Sequence, residues 1–182
     1  MLKYEGMKIA VLSDSHDHIP NLEKALKQIK VKKVEVMFFC GDMCSPFTAG
    51  IIGKVNLPVY ACLGNNDEDQ IAFVQLGGKN FTWVPLFKEF GEVELNSRKI
   101  AYCHYPKPGE FLAKSEGYDA VFYGHTHKVR NEKFGKTLLL NSGSICGINA
   151  RYVLKSEGEK PGVASYAIYD TKTNSAEIIE IK

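Results

Sequence analysis

The sequence has no long apolar run. Nothing in it approaches the ~20 apolar residues that cross a bilayer, so neither a membrane span nor a membrane partner is expected. The opening stretch MLKYEGMKIA has no secretory hydrophobic region, because its first apolar run is short and passes into SDSHDH. Met7 is an alternative start, which would leave residues 1–6 as a loose extension. Net charge is nearly absent. A formal +2 over 182 residues gives no general pull towards nucleic acid, and no clear nucleic-acid signal is seen. There is no CxxC pair, repeat, low-complexity tract or interdomain linker. The five cysteines are odd in number and scattered, so a reduced, cytoplasmic setting is the simplest expectation. Cys40, Cys62 and Cys103 lie in or at the end of apolar runs, where a thiol packs as a small hydrophobe. Cys44 and Cys146 sit near polar loops, from which they either approach a site or, the favoured reading, serve as free structural thiols.

The remaining composition is that of one soluble domain, residues 1–182. A hydrophobic share of 45% and a charged share of 24% support a sizeable core and argue against disorder. Short apolar runs alternate with helical spacing. KIAVLS (8–13), VEVMFFC (34–40) and PVYACL (58–63) read as strands covered on both faces. Between them, Ile19, Leu22, Leu26 and Ile29 recur at helical spacing, and residues 46–54 suit a short helix. This order implies parallel strands joined by right-handed crossovers. The middle, FTWVPLFKEFGEVELNSRKIAYC, holds short β segments, with NSR placed as in a hairpin. A helix is expected after Pro108, over 110–115. Residues 118–123, 128–134 and 137–140 are further strands, and the tail reads as a final hairpin. Residues 151–162 are polar and Gly/Pro-marked, so a long loop is expected there. The class is an α/β sandwich of one domain.

The informative residues stand where these strands stop. The first strand runs into Asp14 and His16, the second into Gly41-Asp42, the third into Gly64-Asn65-Asn66-Asp67. KIAYC runs into His104, AVFY into Gly124-His125-Thr126-His127, and TLLL into Asn141-Ser142-Gly143-Ser144. Loops at the carboxyl ends of strands converge, and ligands bind there. In an extended segment residues i and i+2 point the same way, so Asp14 and His16 would share a face, as would His125 and His127. The glycines before Asp42, Asn65 and His125 permit sharp turns and close approach. Carboxylates, imidazoles and one amide oxygen form a mixed N/O set suited to Mn, Fe, Zn, Co or Ni. Seven candidate ligands exceed the needs of one ion; two ions sharing a carboxylate would use them.

In this order, D-x-H, G-D, G-N-x-D, a later His and G-H-x-H resemble the calcineurin-like metallophosphoesterases, in particular their small single-domain bacterial and archaeal phosphodiesterases. The resemblance runs from about Met7 to Lys182. It implies a four-layer αββα sandwich, two mixed β-sheets flanked by helices. It implies two divalent metal ions, manganese foremost, with Ni, Zn, Fe or Co as alternatives. Asp14, His16 and His127 would bind the first ion, Asn65, His104 and His125 the second, and Asp42 would bridge both. Hydroxide held between the ions would attack phosphorus in line with the leaving oxygen. Two divalent ions, two aspartates and one hydroxide sum to about +1, which suits an anionic substrate and explains a neutral ligand at Asn65.

Two positions depart from the family pattern. Many members carry His where this chain has Asn66, and that histidine is assigned to transition-state stabilisation or leaving-group protonation. Asn66, the catalytic and substrate-binding candidate here, donates a hydrogen bond but not a proton. Loss of a general acid typically costs ~10²–10⁴-fold, so phosphodiesters and activated aryl phosphates are expected as substrates ahead of ordinary monoesters. Tyr105 follows His104 where related proteins often have Gly; it either meets substrate or packs beside Pro106. His18 is expected as a solvated residue at a helix start, and Asp67 as a residue that orders its own turn or supports the ligands from behind rather than binding metal. Arg151, Lys155 and Lys160 read as solvated loop charges. The partner expected is a small phosphorylated substrate, with a homodimer possible since family members often pair. The rival is a weakly active or inactive scaffold, like the retromer subunit of this fold. A barrel amidohydrolase is disfavoured, because such barrels take ~250 residues.

Overall fold

The run Lys8–Leu12 assigns two layers at once. Side chains alternate along a strand: Ile9 and Val11 enter one buried cluster, Ala10 and Leu12 another. The computed structural model describes residues 5–148 and 162–182. Over these the chain runs β1 (Lys8–Leu12), α1 (Ile19–Val31), β2 (Val36–Cys40), α2 (Pro46–Gly53), β3 (Val59–Cys62), α3 (Gln70–Gly77), β4 (Phe81–Trp83), β5 (Gly91–Leu95) and β6 (Arg98–Tyr102). It continues with α4 (Pro106–Lys114), β7 (Ala120–Tyr123), β8 (Arg130–Phe134), β9 (Thr137–Asn141), β10 (Ser165–Asp170) and β11 (Ser175–Glu180).

Two mixed sheets form. One has the order β11-β10-β1-β2-β3-β4, the other β5-β6-β7-β9-β8. β1, β2, β3 and β4 are parallel neighbours, as the crossover reading requires, while β10 joins β1 antiparallel. Between the sheets lie Val11, Phe38, Tyr102, Phe122, Leu140 and Tyr169. On the outer face of the first sheet, Leu22 and Ile29 of α1, Ile52 of α2 and Phe73 of α3 pack against Leu12, Met37 and Phe39. On the outer face of the second, Ala113 of α4 packs with Val121 and Leu139. The four-layer αββα sandwich is thus built from strand alternation plus one apolar stripe on each helix.

Local differences have local causes. α4 begins at Pro106 rather than beyond Pro108, because a first helical turn needs no backbone N–H from proline. α3 was not read from the sequence at all. Its start is capped by Asp69, whose carboxylate accepts from the Ala72 N–H at 3.1 Å, and Gly78 at φ 71° ends it. The β5–β6 turn is tighter than NSR suggests: Asn96 and Ser97 alone make it, both at positive φ, and Leu95 pairs with Arg98. The expected loop charges Arg151, Lys155 and Lys160 lie outside the described residues. Among the described residues, no helix is long and apolar enough to cross a membrane.

Candidate metal centre

The carboxyl ends of β1, β2, β3, β6 and β7 bring all seven candidate ligands together. Main-chain bonds link the first two ends directly: Asp14 N–H donates to the Gly41 carbonyl at 3.0 Å and His16 N–H to the Asp42 carbonyl at 3.1 Å. The donor atoms then sort into two groups. Asp14, His16 and His127 form one, and Asp42, His104 and His125 the other, the atoms of each lying within 4.8 Å of one another. Asn65 joins the second group, its Oδ1 standing 3.1 Å from His104 Nε2 and 2.9 Å from His125 Nδ1. Asp42 lies between them. Its Oδ2 is 3.6 Å from His16 Nε2 and its Oδ1 is 3.6 Å from His104 Nε2.

Two of the histidines are held with Nε2 inward. His104 Nδ1–H donates to the Cys40 carbonyl at 2.8 Å, and His127 Nδ1–H to the Ile148 carbonyl at 2.5 Å. Each is left with Nε2 facing the centre. His16 Nε2 and His127 Nε2 are only 3.0 Å apart, and His125 Nδ1 and His104 Nε2 only 3.2 Å. Nitrogens so close, backed by carboxylates, call for a shared cation or proton between them. The donor set therefore fits two divalent ions of the N/O-binding class.

The backbone supports this closeness at a cost. Asp14, His16, Asp42, His125 and His127 all have left-handed φ, at 54°, 42°, 58°, 68° and 57°. Such residues cost ~1–3 kcal/mol each and persist where the surroundings hold them. This corrects the alternation argument. Asp14 and His16 converge through a turn, and His125 and His127 serve different groups, because neither pair is extended. Gly124 allows the close approach beneath: a Cβ there would collide with Ser13 Oγ and lie 2.6 Å from the Cys40 carbonyl.

Comparison with known proteins follows the same pattern. Residues 7–174 match the calcineurin-like phosphoesterase superfamily domain. The chain belongs to that superfamily. A phosphodiesterase of Methanocaldococcus jannaschii is 34% identical over 143 residues, covering 78% of this chain and 86% of its own. A solved archaeal phosphodiesterase superposes with a TM-score of 0.81 at 28% identity, over 96% of this chain and 99% of that one. A single-mutant Vps29 of Entamoeba histolytica, at TM-score 0.64 and 19% identity over 96% and 98%, shares the fold.

Within this calcineurin-like frame the two departures occupy distinct places. Asn66 turns towards Asp42: its N–H donates to Oδ1 at 2.9 Å and its Nδ2–H to Oδ2 at 2.8 Å. Tyr105 stands beside the second group, its ring centroid 5.0 Å from those of both His104 and His125. Asp67 is buried and accepts the N–H groups of Gly64 at 2.7 Å, Cys44 at 2.8 Å and Asp42 at 2.9 Å. It thus anchors the turn that carries Asp42. Burial raises the Asp67 pKa, and those three donors oppose the rise. His18 caps α1, its Nδ1 accepting from Asn21 N–H at 3.2 Å.

Both loop thiols lie at the first group. Cys44 Sγ is 3.3 Å from His16 Nδ1. Cys146 is buried, which pushes its thiol up, but hydrogen bonds with His127 and Ser144 bring it below its ordinary pKa. Sequence reading missed Ser13, whose hydroxyl donates to Asp14, and the carbonyls of Cys40 and Ile148. A main-chain carbonyl carries no residue-type signal, so only the structure could supply these partners.

Proposed function

We propose that this chain is a dinuclear-metal-dependent phosphoesterase that hydrolyses phosphodiesters ahead of monoesters. The observation that carries the reading is Asp42, one carboxylate oxygen facing each of two separate donor groups. Asp14, His16 and His127 would hold one ion, Asn65, His104 and His125 the other, and Asp42 both. Manganese is the leading candidate; nickel, zinc, iron(II) and cobalt suit the same donors. When bound, such ions neutralise phosphate charge and make a coordinated water acidic enough to deprotonate near neutral pH. The reaction is in-line hydrolysis, with water displacing the ester oxygen at phosphorus. The residues themselves orient and donate. Main-chain carbonyls accept from His104 and His127 and orient their rings. Asn66 steadies Asp42 and offers an amide N–H to a phosphate oxygen, but it has no proton for the leaving group.

The test is a screen of bis-(p-nitrophenyl) phosphate against p-nitrophenyl phosphate with Mn, Ni, Zn and Mg, for the wild type and Asn66→His. Diester preference is expected in the wild type, with monoester activity rising in the variant by at least ~10²-fold if the histidine restores a full general acid, whose contribution is typically ~10²–10⁴-fold. A wild type that prefers the monoester would refute the assignment of Asn66. Metal binding without turnover of any diester would favour the scaffold reading.

A further inference from the structure

A second concavity adjoins the metal centre. It measures about 300 Å³ and shares His104 as a wall. Its lining also includes Gln70 at the start of α3, Leu86, Phe87, Lys88 and the carboxylate Glu89 after β4, and Tyr105. This size lies at the small end of the ~300–1,000 Å³ typical of small-molecule sites.

The loop after β4 is chemically odd for an exposed turn. Lys88 N–H donates to the Pro85 carbonyl at 2.8 Å, closing a tight turn with Leu86 and Phe87 at its tip. Turn tips favour Gly, Asn, Asp and Ser. Here Phe87 is 87% exposed and Leu86 64% exposed, so neither serves the core. Tyr105, also in the lining, is 44% exposed and lies with its ring centroid 5.0 Å from those of His104 and His125. Two aromatic rings and an aliphatic side chain thus line a space whose wall includes His104 of the second ligand group. The amide of Gln70 and the ammonium of Lys88 add polar contacts at its edge.

We propose that this cleft binds one ester substituent of the substrate, a planar aromatic group of nucleobase or aryl class, between Phe87 and Tyr105 while the phosphate lies at the metal centre. The assignment rests on the phosphoesterase reading above for the position of the phosphate. Stacking on an aromatic side chain suits any planar ring, and Gln70 and Lys88 supply donors that a base would use. Phe87 and Leu86 are then specificity residues for the diester.

Two measurements test this on the full chain. In the first, the zinc-loaded protein is titrated with phenyl phosphate, adenosine monophosphate and methyl phosphate, and amide shifts are read by NMR. The two ring compounds should shift Phe87, Lys88 and Tyr105, and methyl phosphate should not. Tighter binding of adenosine monophosphate would assign a nucleobase, and tighter binding of phenyl phosphate an aryl group. In the second, Phe87→Ala and Leu86→Ala are assayed on bis-(p-nitrophenyl) phosphate with manganese. KM should rise about ten-fold in Phe87→Ala, the scale of one lost stack, with kcat within about two-fold. Absence of hydrolysis with the ring-dependent shifts intact would sink the phosphoesterase reading and keep the cleft. Hydrolysis with unchanged KM and no shifts would sink the cleft. So would a Phe87→Ala variant that turns a dimer into a monomer and binds phenyl phosphate as the wild type does, since the loop would then be an interface between copies.

Discussion

At the scale of residues, the centre depends on groups that never face solvent. Asp67 holds three main-chain N–H groups around Asp42. Replacing it with alanine leaves those donors without their acceptor, and each lost buried bond costs ~1–3 kcal/mol. Asp67→Ala should therefore melt at lower denaturant, with a loss of at least ~2 kcal/mol, and bind metal ~10–100-fold more weakly, as for other partners that orient ligands. Urea titration and metal quantification after dialysis check both; wild-type affinity in a folded variant would remove Asp67 from the site. Asp67 was legible in the sequence as a turn-ordering residue, because acids after a strand-ending glycine are turn formers. Its reach across to Cys44 was not, because that contact joins two turns far apart in the chain.

At the scale of elements, the sheets are joined by aromatic side chains. Phe38 of β2 is fully buried and stacks with Tyr60 at 5.2 Å between centroids, while Tyr102 and Phe122 of the second sheet meet it edge-on, each at 5.1 Å. Phe38→Ala would open a cavity at the sheet interface. The expected cost is ~3–5 kcal/mol, read by chemical denaturation; a loss under ~1 kcal/mol would mean the sheets close over the gap. β1, β2 and β3 were readable because strands buried on both faces are continuous apolar runs. The helix α3 was not, since its short sequence QIAFVQLG carries Ile71 and Val74 exposed and lacks a clean apolar stripe. Its cap, Asp69, was the available signal.

For the molecule as a whole, protons and metal compete. Burial alone would lower the His127 pKa, but hydrogen bonds with Asp14 and Cys146 and the Asp14 charge raise it to about 10. Burial, and then the neighbouring His104, lower that of His125. A raised histidine favours the folded, metal-free chain fully below its ordinary value of 6.5, and that gain fades as pH climbs to about 10. The chelated protein should therefore lose thermal stability over this window, and His127→Asn should flatten the slope. Metal must displace the same proton, so its affinity should rise over the window, by up to ~ten-fold per pH unit for one proton released. Calorimetry in buffers of different ionisation enthalpy would detect that proton. Affinity that stays constant on acidification would contradict the ligand assignment.

The sequence by itself determined which residue types stand at which strand ends, and in what order. That was enough for an α/β sandwich and the candidate ligand set, because strand burial and side-chain chemistry are written residue by residue, and the superfamily resemblance these motifs carry implied the αββα layers. The resemblance already implied how the ligands divide; only the tertiary structure supplied the geometry that divides them. His125 and His127, two residues apart, go to different groups because the backbone there is left-handed rather than extended. It also supplied the carbonyls of Cys40 and Ile148 that aim the imidazoles, and it placed Asn66 against Asp42. These are contacts between distant turns, where the partner is often the main chain, and the main chain is the same for every residue type.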